Sequence, residues 1–154
     1  MTVTVRAVRL DDYQAWRPLY AGYAEFYRVE QTDEMADRVW GWLHDPDHEL
    51  EGLVAVDATD RPIGLAHFRR FARPLSATTG GFLDDLFVAS DHRGRGAADA
   101  LLGELRRIAG QRGWSTIRWI TAEDNYRARA AYDRVATRGR WVTYDMAPEP
   151  TAEL

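Results

Sequence analysis

The stretch FLDDLFVASDHRGRGAA, residues 82–98, decides the fold of this chain of 154 residues. Its first seven residues are apolar apart from two aspartates, a pattern that is typical of a buried strand. Gly94 and Gly96 follow, and leucines that recur on one stripe then predict an amphipathic helix over 96–111. A strand that runs through a glycine-rich turn into a helix favours an α/β domain.

The glycine-rich turn is typical of a site for a phosphate or pyrophosphate. Amides at a helix N-terminus have no partner inside the helix and lie at the positive end of its dipole. Gly94 and Gly96 let the backbone approach an anion closely, while Arg93 and Arg95 add positive charge. A P-loop is excluded because the chain has no lysine, and Asp99 stands where a dinucleotide fingerprint has its third glycine. For a Gly-x-Gly pair alone, a tight turn without a ligand is the alternative.

The remaining patterns predict one mixed α/β domain around a central sheet. Alternation and β-branched residues predict strands over 2–8, 53–57, 63–71, 115–122 and 140–146. Capping residues and helical periodicity predict helices over 13–27, from 33 to before Pro46, and over 125–134. We expect residues 1–146 to form the domain and residues 147–154, with two prolines, to be a flexible tail.

Composition excludes several kinds of site. Without cysteine the chain has no disulfide, thiolate nucleophile or iron–sulfur cluster, and without lysine it forms no Schiff base. Pro46 breaks the helix that His44 and His48 would need as metal ligands, so we expect no metal site, and His67 has no partner visible in the sequence. No apolar run approaches the ~20 residues of a membrane span, and no signal peptide is evident. We therefore expect a cytoplasmic protein with no membrane contact.

Charge is segregated along the chain although the net charge is only −4. Residues 25–51 contain nine acids and two arginines, whereas residues 61–140 contain fifteen arginines and eight acids. The first segment can attract a cationic ligand and the second an anionic one; ordinary solvated surfaces are the alternative. A nucleic-acid-binding module is a further hypothesis for the arginine-rich half. An isoelectric point near 5.6 and the lack of a nucleic-acid motif disfavour it.

The strand and loop quoted above resemble the Gcn5-related N-acetyltransferase (GNAT) superfamily. The acetyl-CoA loop of that family reads Arg/Gln-x-x-Gly-x-Gly/Ala, matched here by Arg93, Gly96 and Ala98. Its Asn-x6-Tyr element is matched by Asn125 and Tyr132. The opening strand and two helices follow the family's order, so the resemblance spans most of the chain. Within the superfamily, the DDLFV and DHRG segments look closest to the spermidine/spermine (diamine) acetyltransferases.

This resemblance implies a single-domain fold whose mixed sheet is flanked by helices and whose splayed strand pair holds acetyl-CoA. It also implies direct transfer of the acetyl group to a primary amine. The acidic segment and the subgroup favour a small, cationic, polyamine-like acceptor. Acetylation of a protein lysine or N-terminus is an alternative, and so is a non-catalytic acetyl-CoA-binding module. Because relatives usually pair, we expect a homodimer.

The resemblance also implies roles for individual residues. Asp84 is similar in position to a general base, and Tyr132 to the general acid that protonates the leaving thiolate. Asp84 and Asp85 are adjacent on a strand, so we expect only one of them to face a substrate, with Asp85 the more structural of the two. Glu25, Asp84 and Asp85 are the expected acceptor contacts. The implied cofactor-binding residues are Leu86, Phe87, Val88, Arg93, Gly94, Arg95, Gly96, Ala97, Ala98, Asp99, Asn125, Arg127 and Ala128.

Overall fold

A computed structural model describes residues 3–151 of the chain and confirms the α/β fold. Its strands are β1 (Thr4–Ala7), β2 (Leu50–Val56), β3 (Pro62–Arg73), β4 (Thr78–Val88) and β5 (Ile117–Arg118). Its α-helices are α1 (Tyr13–Phe26), α2 (Asp33–Leu43), α3 (Ala97–Arg112) and α4 (Tyr126–Asp133). Thr2, in the first predicted strand, and the tail residues 152–154 lie outside the described residues. No α-helix within the described range is long and apolar enough to cross a membrane.

The five described strands form one mixed sheet in sequence order. β1 to β4 pair antiparallel, and β5 joins the edge of β4 in parallel. β3 pairs with β4 as far as Val88, whereas β5 pairs with β4 only at Gly81 and Phe82. No other described strand pairs with β4 on that side, so β4 has an unpaired edge beyond Phe82. This is the splayed strand pair that the resemblance implies.

The two faces of the sheet are covered by different helices because residues along β3 point alternately to each face. Leu65 packs on one side with Trp16 of α1 and with α2. Phe68 packs on the other side with Leu101 and Leu105 of α3. The face under α1 and α2 carries the polar residues described below, whereas the α3 face is an apolar core.

Contacts divide the chain into two units, Met1–Ile120 and Thr121–Leu154. In the second unit the predicted helix is present as α4, but the predicted strand over 140–146 is wrong. These residues form no strand, and the side chains of Trp141 and Tyr144 are both 90% exposed. The described part of this unit contains no strand at all. A strand formed there would have no partner within the unit, and its backbone groups would bond to water.

Candidate active site

Asp84 and Asp85 point to the same side of β4 because the strand is irregular between them. In the pairing with β3, Asp85 opposes His67 while Leu83 opposes Phe68, so Asp84 is an extra residue in a β-bulge. A bulge interrupts the alternation of side chains, and both carboxylates line one cavity. The expected alternation of the two side chains is therefore wrong, while the assignment of Asp84 as the substrate-facing residue stays a prediction.

The cavity that these carboxylates line has a volume of about 310 Å³. It lies between α1, α2 and the inner strands of the sheet, and its size suits a small molecule. The cavity wall contains one arginine and three acids, so the formal charge of the wall is negative. The charged and aromatic side chains of its wall are Tyr20, Trp42, His48, Glu49, Arg69, Asp84 and Asp85.

Asp84 is paired with the guanidinium of Arg69, whose Nε donates to Asp84 Oδ2 at 3.0 Å. Burial raises the pKa of Asp84 above its ordinary value, although Arg69 opposes that rise. A carboxylate with a raised pKa holds an accepted proton better, which is a property of a general base. A raised pKa is compatible with the predicted role of Asp84, which stays a prediction.

Asp85 belongs to a separate hydrogen-bonded group in the interior. Its Oδ2 lies 2.8 Å from Nδ1 of the buried His67 and accepts from the Tyr20 hydroxyl at 3.0 Å. Trp16 Nε1 donates to His67 Nε2 at 3.0 Å. Burial, with the nearby Asp85 charge, raises the pKa of the Tyr20 phenol. No local sequence pattern predicts this group, because its members come from α1, β3 and β4 and the bulge sets their register.

The glycine-rich loop leads into α3 in the form that the sequence predicts. Gly94 has φ 78° and Gly96, the N-cap of α3, has φ 84°, a left-handed region that favours glycine. A Cβ at either position would meet nothing within 4 Å, so conformation and not space requires glycine. Arg93 donates to the Val88 carbonyl at 3.2 Å, while Arg95 makes no hydrogen bond or ion pair within residues 3–151. The loop is exposed, and an anion can reach the first amides of α3.

Three residues of the predicted cofactor site lie on the part of β4 that β5 does not pair with. These residues are Leu86, Phe87 and Val88. Ala97, Ala98 and Asp99 form the first turn of α3. The unpaired edge and the open loop are both compatible with a ligand that has a long polar arm and a pyrophosphate, as acetyl-CoA does.

The other predicted residues have different surroundings. Glu25 is exposed on α1 and does not line the cavity, whereas Glu49, which the sequence analysis did not select, does. Asn125 and Tyr132 lie in the second unit, where Asn125 Oδ1 caps α4 by accepting from Ala128 N at 3.4 Å. The roles of these residues and of Arg127 stay predictions.

Within residues 3–151, no group of three or more potential ligands is arranged to hold a metal ion.

Comparison with known proteins identifies the family. Residues 16–136 match the model of the Acetyltransferase (GNAT) family. The chain is 27% identical over 143 residues to D-amino-acid N-acetyltransferase HPA3 of Saccharomyces cerevisiae, covering 92% of this chain and 89% of the relative. It is 28% identical to the uncharacterized N-acetyltransferase YhfO of Bacillus subtilis over 132 residues, which cover 86% of this chain and 87% of the relative.

A solved structure agrees with these relatives. The ribosomal-protein-alanine N-acetyltransferase from Brucella melitensis biovar Abortus 2308 superimposes with a TM-score of 0.76 at 25% identity, covering 95% of this chain and 99% of that one. The matched family segment contains the bulged strand β4, the glycine-rich loop and α4. The chain therefore belongs to the GNAT family of acetyl-CoA-dependent N-acetyltransferases.

Proposed function

We propose that this acetyltransferase acts on the primary amine of a small cationic, polyamine-like acceptor, which binds in the cavity at Asp84 and Asp85. The observation that carries the proposal is the β-bulge, because it brings two adjacent carboxylates into one cavity of about 310 Å³. The likeness of the DDLFV and DHRG segments to diamine acetyltransferases supports the same acceptor class.

The charges of the cavity favour an ammonium group. Three acids and one arginine line it, and Arg69 is already paired with Asp84. Asp85 and Glu49 remain as anions without an arginine partner among the described residues. The ring of Trp42, 39% exposed, also lines the cavity; His48 stacks on one of its faces at 4.9 Å, so only the opposite face can contact a cation. A diamine can place one nitrogen at the carboxylates of β4 and the other near Glu49.

In this proposal Asp84 removes a proton from the acceptor. An alkyl amine has a pKa near 10, so it is protonated at neutral pH and must lose a proton before it attacks. Asp84, with its raised pKa, takes that proton directly or through a water molecule. Asp85, already held by two donors, accepts a hydrogen bond from the same nitrogen and orients it. Glu25 lies outside the cavity wall, so we assign it at most a long-range attraction of cations.

The cofactor residues divide between the loop and the strand. Acetyl-CoA supplies the activated acetyl group. The amides at 94–98 and the side chains of Arg93 and Arg95 hold its pyrophosphate. Backbone groups on the unpaired edge at 86–88 hold its amide arm and stabilise negative charge on the carbonyl oxygen. Tyr132 gives its proton to the leaving thiolate, and Asn125 positions the start of α4.

Two other acceptors are favoured by specific observations. The name of the yeast relative states a D-amino acid, and Arg69 could bind a carboxylate in the cavity. The name of the Brucella structure states a ribosomal-protein alanine, which makes a protein N-terminus or lysine the other alternative. A cavity of this volume favours a small molecule over a protein segment. A homodimer and a cytoplasmic location stay predictions.

A thiol-release assay against polyamines, amino acids, aminoglycosides and peptides tests the proposal. We expect a di- or polyamine to have the highest kcat/KM, and added salt to raise its KM. Glu49→Gln should weaken cationic acceptors and leave neutral amines unchanged, whereas Glu30→Gln, an exposed acid outside the cavity, should change neither. A neutral arylamine, an acidic amino acid or a peptide as the best acceptor would overturn the cationic assignment.

A further inference from the structure

Trp16, His67 and Asp85 form a hydrogen-bonded chain that starts in the core and ends at the acceptor cavity. Trp16 is 0% exposed and His67 is 1% exposed, whereas Asp85 lines the cavity. The two links are 3.0 Å from Trp16 Nε1 to His67 Nε2 and 2.8 Å from His67 Nδ1 to Asp85 Oδ2. The mechanism proposed above uses the carboxylate but neither of the two buried rings.

The Trp16 indole, the first donor in this series of hydrogen bonds, determines which nitrogen of His67 carries the imidazole proton. An indole N–H can only donate, so His67 Nε2 must offer a lone pair to Trp16. The ring proton is then on Nδ1, and His67 donates it to Asp85. In a His–Asp pair that acts as a general base, the far ring nitrogen takes the substrate's proton. Here that nitrogen faces a buried donor, so His67 has no free site for a proton from the cavity.

The hydrogen bonds of Asp85 leave one of its oxygens for a ligand. His67 and Tyr20 both donate to Oδ2. Oδ1 receives neither of these two bonds and is not among the buried unsatisfied atoms of the described residues. The Tyr23 hydroxyl, which donates to the Asp84 carbonyl at 3.4 Å, is a further donor near this carboxylate, and burial together with the Asp85 charge raises the pKa of its phenol. Two donors on one oxygen fix the plane of the carboxylate, so Oδ1 has a defined direction in the wall of the cavity.

We infer that Trp16 and His67, together with Tyr20, are positioning residues: they hold Asp85 so that its Oδ1 binds the acceptor ammonium, and this leaves proton removal to Asp84. The inference rests on the proposed function, since it names the group that orients the same acceptor. It assigns different roles to two adjacent carboxylates. The bulge turns both to the cavity, and only Asp85 is fixed by neutral donors from the core.

The imidazole tautomer can be measured directly on the wild-type protein. Long-range ¹H–¹⁵N spectra of the histidine-labelled chain should show one ring with its proton on Nδ1. That ring is identified as His67 because its signals persist when each other histidine (His44, His48 and His92) is replaced in turn by Gln. A proton on Nε2 of His67 would overturn the inference, whether or not an acceptor has been found.

Kinetics then test the positioning role. Trp16→Phe removes the indole donor, and Trp40→Phe is its control, because the Trp40 ring packs against Trp16 with centroids 4.7 Å apart and donates no hydrogen bond to His67. We expect Trp16→Phe to raise the KM for the amine about tenfold, as loss of order at a charged hydrogen bond does, with the KM for acetyl-CoA unchanged. The control should change neither. If the KM for the amine in Trp16→Phe equals that in Trp40→Phe, the result would contradict the positioning role.

A second pair of variants avoids the buried core. Tyr20→Phe removes the other donor to Asp85, and Tyr13→Phe on the same helix removes a hydroxyl that donates to Asp37 outside the cavity. Only the Tyr20 variant should raise the KM for the amine. If no amine is acetylated by the wild type, the proposed function fails while the tautomer measurement still decides the arrangement. If amines are acetylated and Tyr20→Phe matches Tyr13→Phe, the positioning role fails alone.

Discussion

Replacing Arg69 by Gln should move the pH dependence of the reaction in a direction that the structure fixes. Asp84 must be ionised to accept a proton, so kcat/KM for the amine falls as the pH drops through the pKa of this carboxyl. Burial raises that pKa, and the guanidinium 3.0 Å away lowers it. Without the cation the pKa rises further, so the acidic limb of the profile should shift to higher pH.

The expected size of this shift follows from the distance and the exposure of the pair. Two unit charges 4 Å apart interact by about 1 kcal/mol in water and about 4 kcal/mol at an effective dielectric constant of 20. The side chains of Arg69 and Asp84 are 34% and 29% exposed, so solvent screening places the pair near the lower value. One pKa unit corresponds to about 1.4 kcal/mol, and we therefore expect an upward shift of about one unit.

The assay is the pH profile of kcat/KM for one amine at saturating acetyl-CoA, followed by thiol release. Titration of the amine itself contributes equally to every variant, so a difference between profiles reports the enzyme. Arg70→Gln is the matched control, because Arg70 is exposed on the same strand and has no ion pair among the described residues. A profile of Arg69→Gln that coincides with the wild type, or that moves to lower pH, would refute the role of Asp84 as the base.

Three further variants separate the cofactor site from the chemistry. Gly96→Glu should abolish acetyl-CoA binding in calorimetry, because it strains a residue at φ 84° and repels pyrophosphate, while Gly110→Glu, in open space later in α3, should bind normally. Tyr132→Phe should keep acetyl-CoA affinity and lower kcat on the order of 10²-fold; Tyr126→Phe, exposed on the same helix, is its control, and unchanged turnover would move the acid role elsewhere. Asp84→Asn should lower kcat on the order of 10²-fold with no loss of thermal stability, since burial disfavours the ionised carboxyl; a large drop in Tm would instead indicate a structural role.

Local signals in the sequence were sufficient to predict the elements to which we assign cofactor binding. The leucine stripe and the glycines at 94 and 96 predicted α3 and its loop, because helix periodicity and positive φ are encoded within a few residues. The apolar run before the loop predicted β4, although the strand begins at Thr78, earlier than expected. The family followed from the same stretch.

Features that depend on distant residues were not predicted. A strand pattern says that neighbours alternate, but it does not show a bulge, which needs the partner strand as well. Asp84 and Asp85 therefore share a cavity against expectation, and His67 has hydrogen-bond partners from two other elements, α1 and β4. The prediction of a strand over 140–146 is wrong for a related reason: an alternating pattern is local, whereas a stable strand also needs a partner strand.

The most direct test of a cationic acceptor in this cavity compares two amines that differ in one charge. Putrescine and butylamine have the same carbon chain and the same reacting amine, and only putrescine has a second ammonium. Because either of its two amines can react, putrescine has a statistical advantage of about twofold; we predict a kcat/KM well above twice that of butylamine, with an advantage that shrinks as salt is added and in Glu49→Gln. A ratio of about two, equal values for the two amines, or a preference for butylamine would contradict the account.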